Sequence, residues 1–157
     1  MTMKSRDPTQ RRSRCPINIA LETFGDGWSL LVVRDLMLAR KKTFAAFAAS
    51  PEGIATNILS DRLRRLEEAG LIGSAPDPED GRRRIYRLTH KGIALAPVLA
   101  ELILWSGTHE ATAAPPALLE RLRNDREGFL NELRDRWAAD QEAAPASQSV
   151  EADESSR

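Results

Sequence analysis

Gly53-Ile54-Ala55-Thr56-Asn57-Ile58-Leu59-Ser60-Asp61-Arg62-Leu63-Arg64-Arg65-Leu66-Glu67-Glu68-Ala69-Gly70-Leu71-Ile72 is the stretch from which the fold can be read. At 100° per residue from Thr56 onward, Leu59, Leu63 and Leu66 fall in a narrow arc, while Asn57, Asp61, Arg64 and Glu68 point away from it. The spacing therefore predicts a helix with one face in a core and the other free. Gly70 stands where a left-handed helix end is expected. Leu71 and Ile72 then lead into Pro76-Asp77-Pro78-Glu79-Asp80-Gly81, a turn-forming cluster that reverses the chain. The return through Arg82-Arg83-Arg84-Ile85-Tyr86-Arg87-Leu88 predicts a second strand with a cationic loop edge. Helix, hairpin and cationic edge together predict a winged helix, a mainly α fold with a small β-hairpin wing.

Upstream, Pro16 suits the first turn of a helix, and Ile17, Ala20, Leu21 and Phe24 repeat at helical spacing up to Gly25. Asp26 is placed to cap a second helix carrying Trp28, Leu31, Val32, Asp35, Leu36 and Ala39, with Arg40-Lys41-Lys42 at its negative end. Trp28 is expected in the core. Phe44 and Phe47 mark a third, short helix, which Ser50-Pro51-Glu52-Gly53 breaks. Helix, turn and a following helix with a polar outer face form the helix-turn-helix arrangement.

These residues resemble a known family. Cys15-Pro16, the Gly25-Asp26-Gly27-Trp28 corner, Phe44 with Phe47, Gly53-Ile54, Leu59 with Arg62-Leu63 and Leu66, Gly70-Leu71, and Tyr86-Arg87-Leu88-Thr89 followed by Gly92 are similar to the HxlR-type branch of the winged helix-turn-helix regulators, within the MarR-like superfamily. The resemblance covers residues 15–106. It implies a homodimeric bacterial DNA-binding transcriptional regulator, with the recognition helix in the major groove and the wing on the backbone or minor groove. Ala55 departs from the pattern, because the family usually has a helix-capping Ser there. Loss of a cap costs roughly 1 kcal/mol unless Thr56 or water replaces it.

After Thr89, a good N-cap, one helix is expected through Ile93, Leu95, Val98, Leu99, Leu102, Ile103 and Trp105, kinked at Pro97. Its surface is too apolar for one small domain to cover. Ile17, Leu21, Leu95, Val98, Leu99, Leu102 and Trp105 are therefore the expected dimer interface, as the resemblance also implies. The expected organisation is a flexible basic arm at 1–14, the winged domain with its dimerisation helix at 15–107, a linker and one amphipathic helix interrupted at Gly128 over 108–139, and a disordered acidic tail at 140–157.

The 157 residues and 41% hydrophobic content suit one domain with tails, and neither a membrane span nor a signal peptide is supported, so a cytoplasmic protein is expected. The single cysteine excludes an internal disulfide, and His90 and His109 stand apart, so no metal or other cofactor is expected. No catalytic grouping can be assembled, and an enzyme is not expected. The formal net charge is zero, yet residues 1–42 carry nine Lys/Arg against four Asp/Glu and residues 110–157 carry six against eleven. The overall balance hides local positive charge suited to double-stranded DNA.

Reading DNA needs short polar or cationic groups on the outer face of a groove-sized helix, flanked by cations for phosphates. Thr56, Asn57, Ser60, Asp61, Arg64 and Arg65 meet the first need, and Arg82, Arg83 and Arg84 the second. Asn57 suits adenine and Arg64 guanine, each pair contributing roughly 1–3 kcal/mol of discrimination. Asp61 either accepts from cytosine N4 or holds Arg65 one turn on. Arg62 either forms an internal ion pair or reaches DNA. Cys15, beside Arg14 and a helix N-terminus, is either a redox or electrophile sensor, as the resemblance implies for some members, or a small buried hydrophobe. A small-molecule effector is also compatible with the pattern. The competing function is a winged-helix protein-interaction module that does not bind DNA.

Overall fold

The structure, a computed structural model, describes residues 10–145. Pro16 opens α1 (Pro16–Phe24), where its missing N–H costs nothing, and none of this helix is buried within the chain. Asp26 organises the following corner. Its carboxylate accepts from the backbone N–H groups of Trp28 (2.9 Å) and Ser29 (3.0 Å) and from the Ser29 hydroxyl, which caps α2 (Ser29–Met37) as the sequence predicts. Trp28 is only half-buried at this corner. The cationic run lies beyond the end of α2, and Arg40 turns the chain with a φ of 55°.

Thr43 caps α3 (Phe44–Ala48) by accepting from the Ala46 N–H at 3.3 Å. A turn through Gly53, at φ 68°, leads into α4 (Thr56–Glu68). Leu59, Leu63 and Leu66 are buried as their spacing predicts, packing α4 against α2 and α3. Phe47, Leu59, Leu66 and Val33 are almost wholly enclosed. Truncating such a leucine to alanine costs roughly 2–5 kcal/mol.

Gly70 ends α4 at φ 72°, with the Leu71 N–H bonded to Leu66 O (3.0 Å) and the Gly70 N–H to Glu67 O (2.9 Å). The chain then forms β1 (Ile72–Pro76), antiparallel to β2 (Arg84–Leu88), with Ile72 opposite Leu88 and Pro76 opposite Arg84. Pro76 is thus the last strand residue, whereas Arg82 and Arg83 belong to the turn, because the Asp77 N–H bonds Arg83 O (2.8 Å) and closes the loop there. The hairpin is anchored to the helices by the Tyr86 N–H, which bonds Lys42 O at 2.8 Å.

The Leu-Thr-x-x-Gly order has a physical reason. The Thr89 hydroxyl accepts from the Gly92 N–H (3.1 Å), capping α5 (His90–Ile93), and donates to Gly70 O (2.6 Å) at the end of α4. The Thr89 N–H also bonds Leu71 O (3.1 Å), and a Cβ on Gly92 would lie 2.0 Å from that same oxygen. Only glycine allows the two segments this close.

The single helix expected after Thr89 is two. α5 ends at Ile93 and α6 (Ala96–His109) starts afresh, so Pro97 occupies a first turn, where it costs no hydrogen bond and produces no kink. His90–His109 has the length and mean hydropathy, 1.2, of a stretch able to cross a membrane, and a third of it is buried. Its apolarity has a core function on one side, where Ala96, Leu99 and Ala100 pack inward.

The C-terminal region also forms two helices, α7 (Pro116–Asn124) and α8 (Arg126–Glu142). The break falls at Asp125, whose carboxylate accepts from the Gly128 N–H (3.1 Å), so Gly128 lies in the first turn of α8 and does not interrupt it. α8 returns to the hairpin, where the Trp137 Nε1–H (2.9 Å) and Gln141 Nε2–H (3.0 Å) both donate to Leu88 O. Asp140 pairs with Arg40 (2.9 Å) and Lys42 (3.5 Å), so the start of the expected acidic tail is helical. Arg11 and Arg12 of the expected arm are tied to Glu22, with Arg12 donating from Nε at 3.0 Å. The rest of the expected arm at 1–9 and of the expected tail at 146–157 lies outside the described residues.

Candidate nucleic-acid interface

The outer face of α4 carries Thr56, Asn57, Ser60, Arg64 and Arg65, all exposed, with Asp61 half-buried among them. Ala55 stands at the N-cap and offers no side-chain hydrogen bond, while Thr56 is the first helical residue. The positive end of the helix dipole thus opens onto the same surface as these side chains.

Asp61 is the electrostatic centre of this face. Its carboxylate lies 2.5 Å from Arg62, 2.9 Å from Arg64 and 2.9 Å from Arg65. Partial burial opposes its charge, but the Arg64 hydrogen bond and the fields of Arg65 and Arg62 outweigh that and hold the carboxyl below its ordinary range. Asp61 therefore holds Arg65, one of its two expected roles, and two further arginines as well. Arg62 takes the internal-pair alternative. It is only 19% exposed and donates from Nε to Asp26 at 2.9 Å, linking α4 to the corner that caps α2. Arg64 is shared with Glu68 at 2.6 Å.

The three wing arginines, which the sequence presents as equals, differ. Arg83 donates to Asp77 from Nε (2.7 Å) and from its terminal nitrogen (2.5 Å), and Asp77 is buried at 7% exposure. Asp77 also accepts from the Glu79 N–H (2.9 Å), so it organises the wing turn. The Glu79 bond and then Arg83 hold its carboxyl below the usual range. Arg84 donates from Nε to the Ser74 hydroxyl (3.0 Å) and from its terminal nitrogen to Ser74 O (3.1 Å) on the paired strand. Among the described residues, the Arg82 side chain alone of the three makes no hydrogen bond or ion pair. Sequence reasoning missed the part played by Asp77, which stands in the sequence only as one member of the turn-forming cluster.

The expected interface residues also divide. Ile17 (71%), Leu21 (55%), Val98, Leu102 and Trp105 (61%) are exposed on α1 and α6. Leu95 and Leu99 are instead buried in the chain's own core, so their side chains make internal contacts where contact with a partner was expected. Cys15 is exposed at the N-cap of α1, which removes the buried-hydrophobe reading for the single chain.

A helix-turn-helix with a polar, unobstructed second helix and an adjoining hairpin defines a winged helix-turn-helix DNA-binding protein. Residues 23–113 match the HxlR-like helix-turn-helix family, and the chain belongs to that family of transcriptional regulators. It is 36% identical over 100 residues to the uncharacterized HTH-type transcriptional regulator sll1512 of Synechocystis sp., covering 63% of this chain and 73% of that protein. Among solved structures, the putative transcription factor PA1607 superposes with a TM-score of 0.59 at 38% identity, over 67% of this chain and 72% of that one. The reduced form of the transcriptional regulator YodB from B. subtilis gives a TM-score of 0.51 at 27% identity, over 62% of this chain and 95% of that one.

Proposed function

We propose that this regulator is a cytoplasmic homodimeric repressor that reads its operator with the outer face of α4 and positions itself with the wing. The observation that carries the reading is the clustering of Thr56, Asn57, Ser60, Arg64 and Arg65 on one exposed face, next to an N-terminus that no Ala55 side chain caps. Asn57 and Arg64 specify bases, and Arg82 neutralises phosphate. The exposed apolar residues of α1 and α6 support the pairing of two subunits.

The test begins with selection of bound fragments from the source genome, followed by anisotropy titrations on the selected operator and on random duplex. Asn57→Ala is expected to lose roughly 1–3 kcal/mol on the operator and little on random DNA. Arg82→Ala is expected to weaken both, with a salt slope shallower by about one for every phosphate left without its cation. If Asn57→Ala binds both duplexes as the wild type does, α4 is not the reading element.

Redox control through Cys15 is a second reading, favoured by its exposure and by the likeness to YodB, a regulator solved in a reduced form. Mild oxidant is expected to change operator affinity in the wild type and not in Cys15→Ser. Equal sensitivity of the two proteins would remove the thiol from the mechanism.

A further inference from the structure

α8 lies outside the stretch that matches the family, and between it and the winged helix is a cavity of about 40 Å³. Its apolar wall is formed by Leu36, Leu88, Ile93 and Trp137. Its rim holds four cations, Arg40, Lys42, Arg87 and Arg136, against one carboxylate, that of Asp140. Arg40 reaches the rim from a left-handed backbone at φ 55°, a conformation that residues other than glycine rarely adopt. Asp140 already shows what the rim accepts, since its carboxylate sits between Arg40 (2.9 Å) and Lys42 (3.5 Å) at the edge of the apolar wall.

We infer that this cavity is a binding site for a short-chain monocarboxylate, whose carboxylate takes the Arg40–Lys42 position that Asp140 occupies in the free chain. Two observations set the ligand class. The surplus of positive charge calls for an anion, and the apolar wall calls for a hydrocarbon end. Volume sets its size. A water needs roughly 10–15 Å³ and benzene occupies an engineered cavity of roughly 150 Å³, so about 40 Å³ suits an alkyl end of about two or three carbons and not a ring. Asp140 is then an internal competitor. Because Tyr86 and Leu88 of β2 line the same cavity, and Lys42 O holds the Tyr86 N–H, the ligand would sit at the root of the wing.

Binding at this cavity does not depend on how the protein reads DNA, and the test needs no DNA. The full chain, ¹⁵N-labelled, is titrated with sodium propionate at constant ionic strength, with propionamide and sodium chloride as controls. The expected result is a saturable shift of the Trp137 indole N–H and the Leu88 amide with propionate alone. Asp140→Asn removes the competitor and should lower the half-saturating concentration by roughly threefold, while Arg40→Gln should raise it by at least as much. A Trp137 that served only to dock α8 would not tighten propionate binding when Asp140 is neutralised. The proposal is overturned by no saturable response in either the wild type or Asp140→Asn, by an equal response to propionamide or chloride, or by Asp140→Asn binding propionate no more tightly than the wild type.

Discussion

Replacing Asp61 with asparagine keeps the shape of the α4 surface and removes the charge that three arginines share. Asp61 lies within 2.9 Å of Arg62, Arg64 and Arg65, but Arg62 keeps Asp26 and Arg64 keeps Glu68 as second partners. These pairs are partly solvated, so the fold should lose no more than about 1 kcal/mol. The effect on DNA is larger. A carboxylate about 6 Å from a phosphate in a water-like medium is repelled by about 0.7 kcal/mol, so its removal should strengthen random-duplex binding about threefold per subunit. Arg64 and Arg65, released from Asp61, can each reach a phosphate, making the slope of log affinity against log salt steeper by about 0.9 for each phosphate they neutralise. Operator affinity should rise less, because Arg64 then divides its time between base and backbone, and the ratio of specific to nonspecific binding falls. The assay is anisotropy on both duplexes from low to high salt. An unchanged slope and unchanged random-DNA affinity in Asp61→Asn would show that this carboxylate does not restrain the neighbouring arginines, and the reasoning would fail.

Arg83→Ala should loosen the wing turn, because it strips Asp77 of its ionic partner, and hydrogen exchange of the turn amides should quicken while that of α4 stays unchanged. Leu102→Glu should leave the fold intact but give monomers in sedimentation, since Leu102 is 47% exposed; Leu99→Ala should instead lower subunit stability by roughly 2–5 kcal/mol. Glu52 is held down to about 2, chiefly by the Arg34 hydrogen bond. A lowered folded value means that the contribution is present above the unfolded value, near 4.5, and is lost as pH falls through the folded one. With solvent screening it is roughly 0.5–1 kcal/mol. Chemical denaturation of Glu52→Gln should therefore differ from the wild type at pH 7 and converge with it towards pH 2; a difference independent of pH would rule out the ion pair as its source.

The leucine spacing of α4 and the glycine that ends it made the central helix legible, because both express local backbone and burial requirements. Thr89 with Gly92 was legible as a helix start, though not as a clasp onto Gly70 and Leu71, since that clasp joins segments about twenty residues apart. Pro97 illustrates a different limit. A proline inside a periodic apolar run has the same sequence signature whether it kinks one helix or begins another, and packing of Ala96, Leu99 and Ala100 decided the matter. That helix is apolar on more than one side, so periodicity could not separate Leu99, which faces its own core, from Leu102, which does not. The wing arginines were indistinguishable in sequence because Asp77 and Ser74 select two of them through the folded hairpin. For the same reason α8 was visible as an amphipathic helix, while its return to Leu88 was not.

The clasp between Thr89, Gly70, Leu71 and Gly92 also acts as a ruler. By fixing the end of α4 to the start of α5 through hydrogen bonds at 2.6 and 3.1 Å, it leaves α4 little freedom to swing relative to the scaffold behind it. In a twofold pair the distance between the two reading helices would then be a property of the backbone and not of the bound sequence. Operators for such a protein can drift in their bases at a cost graded base by base, but an inserted base pair between half-sites also rotates one site about the duplex axis, and a clasped helix cannot follow it.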